Sequence, residues 1–197
     1  MWYWNLMGAF MVNEKEFDKI SRVVSHALRH EPWIYELELD DDGWVQVGDL
    51  INVLRRENSK WCDITSDTLI NIIKASDKKR HEICDGKIRA LYGHSVPQKL
   101  LKQPSTPPAI LYHGTSPELA SIILRNGLLP MGRQYVHLSI DIGTASKVGQ
   151  RKSPKPALLQ INSEDAMKSN VVFYRGNDIV WLADFIPSKF IGCNVNF

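Results

Sequence analysis

The sequence has few cysteines, no excess of either charge and no long apolar run, and each absence excludes a class of protein. Its three cysteines, Cys62, Cys84 and Cys193, lie far apart, so there is no Cys-x-x-Cys pair and no zinc-ligand spacing. Such thiols are typical of a reducing compartment, and we expect a cytoplasmic protein. Lysines and arginines number 24 against 22 aspartates and glutamates, so the overall charge indicates no particular partner.

Two common nucleotide-binding loops and a membrane anchor are also missing. The chain contains no Gly-x-Gly-x-x-Gly and no Gly-Lys-Ser/Thr sequence, which argues against Rossmann and P-loop binding. The apolar residues 1–10 are far fewer than the ~20 that a membrane helix needs. They also lack the basic start and the cleavage pattern of a signal peptide. We therefore expect no membrane partner and treat residues 1–10 as a leader without an assigned function.

Helical patterns dominate the next part of the chain. Asn13 and Glu16 form a capping-box pattern, and the apolar spacing that follows predicts a helix that ends before Pro32. The last turn of this helix carries Arg29 and His30, and a purely structural role is open, because cations suit the negative end of a helix dipole. Two further helices are predicted, the second from Val47, Leu50, Ile51 and Leu54, and the third, capped by Thr65 or Ser66, from Leu69, Ile70 and Ile73.

A turn and a hairpin accompany these helices. Asp40–Gly43 predicts a turn, and a calcium loop is disfavoured because the EF-hand spacing and its final glutamate are missing. His81–Cys84 and Lys87–Tyr92, joined by Asp85-Gly86, predict a tight β-hairpin. Three helices followed by a hairpin indicate a winged-helix lobe. Residues 74–89 contain six basic and three acidic residues, which fits a phosphate backbone and equally a solvated hairpin.

The prolines divide the chain into two lobes. Residues 96–108 contain four prolines and little periodicity, which is typical of a linker. We therefore expect a first lobe at residues 11–95 and a second lobe at residues 109–197. The second lobe has many short apolar runs and few long helices, which predicts a curved, mostly antiparallel pair of sheets in an α+β protein.

A histidine follows the first strand of this second lobe. Ala109–Tyr112 predicts a buried strand, and Ser116, Pro117 and Glu118 mark a strong helix start. His113 is thus expected where the strand passes into a loop, beside Gly114, whose missing side chain would let a ligand approach the backbone. A buried core histidine is the simpler interpretation of this position taken alone.

The sequence around His113 resembles the first motif of the ADP-ribosyltransferase superfamily. The similar segments are His113–Thr115, which precedes a capped helix, and the second strand, Tyr135–Ser139. Members of this superfamily hold NAD in a cleft of a split sheet. There the histidine binds a ribose hydroxyl and the glycine backbone holds the nicotinamide amide.

Both lobes together resemble the RNA 2′-phosphotransferases, an NAD-consuming branch of that superfamily. The stretches that match it are Ser21–His30, Asp42–Val45, Ser76–Arg80, Ile88–Ser95, Tyr112–Thr115, Gly127–Leu128, Met131–Ser139, Thr144–Ala145, Val148–Arg151 and Val180–Leu182. The resemblance implies a winged-helix RNA-binding lobe and an ADP-ribosyltransferase-like split antiparallel NAD lobe. It also implies the reaction: an internal 2′-phosphate of RNA attacks NAD and expels nicotinamide. The ADP-ribosylated intermediate then gives RNA with a 2′-hydroxyl and ADP-ribose 1″,2″-cyclic phosphate.

The resemblance implies a catalytic role for four residues, Arg29, His30, Arg80 and Arg133. Because a phosphate dianion needs no base to attack an oxocarbenium-like carbon, the protein must supply cations that hold the phosphate and stabilise its transfer. The planar fork of arginine suits such contacts, and histidine can donate to phosphate. The residues expected to bind NAD are His113, Gly114, Thr115, His137, Ser139 and Arg151.

Three positions depart from the family pattern. His81 stands where an aromatic residue usually follows the arginine of the hairpin, Arg22 stands for lysine, and Lys152–Pro154 replaces a basic-glycine pair. Val180 occupies the position at which many protein-modifying relatives carry a glutamate. We expect NAD as co-substrate, 2′-phosphorylated RNA, with spliced tRNA as one candidate, as partner, a monomer and no metal. The alternatives are an ADP-ribosyltransferase that acts on nucleic-acid ends or another acceptor, and an inactive RNA-binding module.

Overall fold

A computed structural model describes residues 14–76 and 79–193 of the protein. The chain divides into two units between Leu101 and Lys102, at a point inside the predicted linker. The leader at residues 1–10 and the proposed cap at Asn13 lie outside the described residues. Both units mix helices with antiparallel strands, as an α+β protein does.

Within residues 14–76 and 79–101, the first unit has three α-helices and a three-stranded antiparallel sheet. The helices are α1 (Glu14–Arg29), α2 (Val47–Glu57) and α3 (Ser66–Lys74), and the strands are β1 (Val45–Gln46), β2 (His81–Cys84) and β3 (Lys87–Ala90). The sheet order is β1-β3-β2. Asp85 and Gly86 join β2 to β3 with φ values of 48° and 73°, as a two-residue hairpin requires, and the predicted hairpin is confirmed.

The first core forms where the apolar faces of the helices meet the sheet. Val47, Leu50, Ile51 and Leu54 are all buried, as predicted for α2. The hydroxyl of Thr65 accepts a hydrogen bond from the Thr68 amide and caps α3, again as predicted. In α3, however, Ile72 is buried with Leu69 while Ile70 is only partly buried, because the helix turns residue 72 toward the core.

As far as residue 193, the second unit has one six-stranded antiparallel sheet and three α-helices. The strands are β4 (Ile110–Thr115), β5 (Val136–Ser139), β6 (Ala157–Asn162), β7 (Phe173–Arg175), β8 (Val180–Ala183) and β9 (Ile191–Cys193), in the order β7-β8-β5-β4-β6-β9. The helices are α4 (Pro117–Asn126), α5 (Ile142–Gly149) and α6 (Ser163–Lys168). The hydroxyl of Ser116 accepts from the Leu119 amide and caps α4, as predicted.

The centre of this sheet is joined by few backbone contacts. β4 pairs with β6 along its whole length, and β5 pairs with β8 over four positions. Between β4 and β5, in contrast, only Tyr112 and Ser139 are paired. The sheet pair expected from the sequence is therefore a single sheet among the described residues, and its two halves meet at one register position.

One local prediction for the second unit is wrong. β4 does not end at Tyr112 but continues to Thr115, so His113 lies within a paired strand, opposite Leu159 of β6. On α4, the surfaces of Leu119 and Ile122 are 36% and 45% exposed. Ala120 is buried instead, because the helix presents the neighbouring face to the sheet.

No helix among the described residues is long and apolar enough to cross a membrane.

Candidate active site

The C-terminal end of α1 holds Arg29 in a defined direction. Its Nε donates a hydrogen bond to the carbonyl oxygen of Ser25 at 3.2 Å, and its own carbonyl oxygen accepts one from the Ser95 amide at 2.9 Å. Gly93 has φ +88°, and a Cβ added there would lie 2.8 Å from Nη1 of Arg29. A side chain at residue 93 would therefore be strained and would displace the guanidinium group.

His30 is held by the same segment. Its Nδ1 lies 2.8 Å from the hydroxyl oxygen of Ser95, and its ring centroid is 5.8 Å from that of His26. His26 in turn lies 3.0 Å from the Tyr35 hydroxyl through Nδ1. Ser95 thus fixes both Arg29, through its amide, and His30, through its hydroxyl.

The hairpin brings Arg80 to this helix end. The next residue, His81, points Nε2 at the hydroxyl of Ser25, 3.4 Å away. Burial, followed by the charges of Arg29 and Arg80, lowers the pKa of His81 to about 3. Arg29 and His81 both contact Ser25 and Arg80 directly precedes His81, so we group Arg29, His30, Arg80 and His81 and call them the arginine cluster.

The other cations of the hairpin are mostly neutralised. Lys87 pairs with Asp40 at 3.4 Å, and Arg89 pairs with Glu82 at 2.8 Å while its guanidinium carbon lies 4.3 Å from the ring centroid of Trp44. Arg80 differs, because no described carboxylate forms an ion pair with its guanidinium group. The positive charge offered to an anion is therefore concentrated at the start of the hairpin and not spread along it.

His113 bridges the centre of the second sheet. Its Nδ1 lies 2.9 Å from the carbonyl oxygen of His137, and since a carbonyl can only accept, Nδ1 carries the proton. Burial lowers the pKa of His113; the hydrogen bond to His137 opposes this effect, and the charge of Lys152 adds to it. The ring is therefore neutral, and its other nitrogen, Nε2, is an acceptor.

The packing of a helix gives one reason for glycine at residue 114, and the approach of a ligand to its backbone stays a prediction. A Cβ added to Gly114 would lie 1.9 Å from the carbonyl oxygen of Ala145 in α5. A Cβ on Gly149 would likewise lie 3.0 Å from the Gly114 carbonyl carbon. The two glycines allow the backbones of β4 and α5 to touch, and this contact fixes the strand that carries His113.

The remaining residues expected at the NAD site lie on the same strands. Thr115 ends β4 and is buried, and Ser139 ends β5 and is buried as well. His137 is half-buried and pairs with Leu182 of β8. Val180 pairs with Ser139, and β8 contains no glutamate.

Two predicted arginines lie on exposed turns of the second unit. Arg133 follows Met131, which has φ 57°, and its amide donates to the carbonyl oxygen of Pro130 at 3.2 Å. Arg151 is exposed and its amide donates to the Val148 carbonyl oxygen at the end of α5. The structure thus gathers Arg29, His30 and Arg80 in the first unit, and it assigns Arg133 to the second.

Sequence reasoning missed the residues that position the others. Ser25, Gly93, Ser95 and Gly149 act through contacts with residues distant in sequence, so no local pattern reveals their individual roles. They do lie within stretches that matched the family, which was the only signal available. Within the described residues, no group of three His, Cys, Asp or Glu side chains is arranged to hold a metal ion.

Comparisons with known proteins agree with the resemblance seen in the sequence. A sequence model of the family described as RNA 2′-phosphotransferase, Tpt1/KptA, matches residues 15–185. A probable RNA 2′-phosphotransferase of Bacillus thuringiensis is 51% identical over 94% of this chain and 100% of its own. Proteins of the same description from Acetivibrio thermocellus and Archaeoglobus fulgidus are 51% and 35% identical over 89% and 96% of this chain, and over 96% and 87% of their own. The resemblance to this family is confirmed.

Proposed function

Because the chain belongs to the RNA 2′-phosphotransferase family, we propose that it removes an internal 2′-phosphate from RNA by transferring it to NAD. The products are RNA with a 2′-hydroxyl, nicotinamide and ADP-ribose 1″,2″-cyclic phosphate. The first unit acts as a winged-helix RNA-binding lobe. The second acts as an ADP-ribosyltransferase-like lobe that binds NAD as co-substrate.

The arginine cluster is the observation that carries this proposal. Arg29 and His81, the residue next to Arg80, both contact Ser25, and His30 is fixed beside Arg29 by Ser95. Two guanidinium groups close together repel each other unless an anion lies between them, which favours a ligand with two negative charges. A 2′-phosphate monoester is such a ligand near neutral pH, whereas the diester links of RNA carry one charge each.

His113 supports the NAD role of the second unit. Its neutral ring presents an acceptor nitrogen, Nε2, because Nδ1 donates to the His137 carbonyl oxygen. A ribose hydroxyl can donate to this nitrogen, and a charged histidine could not accept that hydrogen bond. The contact between Gly114 and α5 holds the strand in place, so the ring orientation does not depend on the ligand. These residues therefore fit a ribose of NAD.

Four residues are assigned to the phosphate and its transfer. Arg29, His30 and Arg80 bind the phosphate that attacks NAD, and Arg133 stabilises the charge that develops as the phosphate leaves the RNA. The absence of a glutamate from β8 suits this chemistry, because the phosphate is already an anionic nucleophile and needs no carboxylate base.

The test is to mix the protein with NAD and a short RNA that carries one internal 2′-phosphate, and to follow both by mass spectrometry. We expect loss of the phosphate from the RNA together with nicotinamide and the cyclic phosphate of ADP-ribose. Release of nicotinamide with ADP-ribose left on the RNA would instead indicate transfer to an acceptor without phosphate removal. An intact NAD pool with folded protein would point to an RNA-binding module.

A further inference from the structure

A serine of α1 contacts residues on both sides of the arginine cluster. The Ser25 carbonyl oxygen accepts the hydrogen bond from Nε of Arg29, and its hydroxyl lies 3.4 Å from Nε2 of His81. Only 7% of the Ser25 surface is exposed. His81 follows Arg80 directly and starts the hairpin strand β2. Ser25 therefore joins the arginine of the helix to the residue next to the arginine of the hairpin.

The His81 ring can fill this position because it is neutral. Burial and the two arginine charges hold its pKa at about 3, far below physiological pH. A neutral imidazole can either accept a hydrogen bond from the serine hydroxyl or donate one to it. It adds no charge to Arg29 and Arg80, so it can keep the two guanidinium groups close without adding to their repulsion while the site is empty.

We propose that Ser25 and His81 are a pair of positioning residues that orient Arg29 and Arg80 toward one RNA 2′-phosphate. The identity of this phosphate rests on the proposed function. Arginine binds a phosphate well only when its planar group faces the oxygen atoms, so a small rotation weakens both contacts. A phenyl ring would fill the space of His81 but would have no nitrogen for Ser25. The hydroxyl–imidazole contact therefore links α1 to the hairpin in a way that packing alone does not.

The experiment measures binding of two RNAs in the absence of NAD. One RNA carries a single internal 2′-phosphate, and the other has the same sequence with a 2′-hydroxyl. The ratio of the two affinities reports phosphate recognition alone, since every other contact is shared. The proteins compared are the wild type, Ser25→Ala, His81→Phe, the double variant and His81→Gln. Ser121→Ala is the matched control, because its hydroxyl bonds only to the Pro117 carbonyl oxygen in α4.

We expect the wild type to prefer the 2′-phosphorylated RNA. Ser25→Ala and His81→Phe should each lower that preference by about 3- to 10-fold, the effect of one hydrogen bond. The double variant should lose no more than either single variant, because each substitution removes the same contact. His81→Gln should keep the preference within about twofold of the wild type, since its amide can also bond to Ser25. Thermal melting checks that each variant is folded.

Three results would overturn the pair. His81→Phe with full preference and His81→Gln without it would mean that the ring only fills space. Losses that multiply in the double variant would mean that Ser25 and His81 act separately. A preference that diverges between wild type and His81→Gln as the pH falls from 8 to 5.5 would mean that His81 is charged in the complex.

Failure of the proposed function gives a different result. The wild type could prefer the 2′-phosphorylated RNA and yet leave it intact in the presence of NAD. This result would contradict the proposed reaction but not the role of Ser25 and His81 as positioning residues. A folded wild type without any preference would overturn the inference itself.

Discussion

Each unit holds one histidine in place by a different kind of contact. In the first unit this happens in the arginine cluster, and in the second unit it happens beside the contact between β4 and α5. His81 is held by a side chain, the Ser25 hydroxyl, at 3.4 Å. His113 is held by a backbone carbonyl oxygen at 2.9 Å, on a strand whose own backbone touches α5 at Gly114. Both rings are partly buried and have lowered pKa values, yet one follows an arginine of the cluster and the other lies within a sheet.

The two regions therefore differ in the effect that is expected from an amino-acid substitution. Side chains at element ends can rotate, so a substitution in the arginine cluster is expected to alter function more than folding. Backbones in contact cannot rotate, so a substitution at the β4–α5 contact is expected to alter folding first.

Gly114→Ala should destabilise the protein most. The added Cβ would lie 1.9 Å from the Ala145 carbonyl oxygen, and neither backbone can move aside without breaking strand or helix bonds. We expect a loss of about 3 kcal/mol or more in the free energy of unfolding, measured by thermal or chemical denaturation. Gly132→Ala is the control, because a Cβ there meets no atom within 4 Å. Equal stability of the two variants would contradict the close contact.

Arg80→Ala should leave the fold intact and abolish phosphate transfer. We expect RNA dephosphorylation to fall about 100- to 1000-fold, as when one charged donor is removed from a developing anion. NAD binding, measured by calorimetry, should be unchanged, since the substitution removes a phosphate contact only. Arg56→Ala is the matched control, because Arg56 pairs with Glu36 on an exposed surface. Full turnover by Arg80→Ala would remove the role assigned to it.

Acid should weaken the first unit through His81. The unfolded ring has a pKa near 6.5 and the folded ring one of about 3, so below pH 6.5 the unfolded chain binds a proton that the folded chain excludes. Stability therefore falls as the pH falls, by about 2 kcal/mol for this group between pH 7 and pH 5. Because phenylalanine does not bind a proton, the stability of His81→Phe should not include this loss between pH 7 and pH 5. Denaturation curves of both proteins at the two pH values make the comparison, and parallel losses would show that His81 does not contribute.

Arg151→Ala should give the smallest effect. Arg151 is exposed on the turn after α5, so any contact with the phosphates of NAD would be screened by solvent. We expect the KM for NAD to rise about fivefold with kcat unchanged. Lys155→Ala, another exposed cation of the same loop, is the control. An equal rise in both would indicate attraction by the loop charge and no specific contact.

The sequence predicted best what depends on neighbouring residues. Thr65 and Ser116 cap their helices and Asp85-Gly86 turns the hairpin because each acts on backbone groups within three residues. The buried face of α2 followed from its spacing alone. The end of β4 was wrong, since His113–Thr115 is extended by pairing with β6, a strand that lies more than 40 residues away in the sequence.

The sequence predicted the residues of the candidate site but not the residues that hold them in position. Arg29, His30 and Arg80 were recognised by their family pattern, and the structure gathers these three in one unit. Nothing in the order of residues indicates that Ser25 contacts His81 or that Gly149 touches Gly114, because each contact depends on how separate elements pack. For Gly114, the sequence predicted that a ligand approaches the backbone, and the structure adds the contact with α5 as a second reason for glycine.

The hydroxyl of Ser95 contacts His30, the residue that follows α1, across a sequence separation of 65 positions. Closing a loop of that length carries an entropic cost that must be met before the contact forms, so local elements such as the hairpin can form earlier. The cluster that binds phosphate should therefore be among the last parts of its unit to assemble during folding. A nascent or partly folded chain would contain the arginines but not their arrangement. It would therefore not bind 2′-phosphorylated RNA specifically until folding is complete.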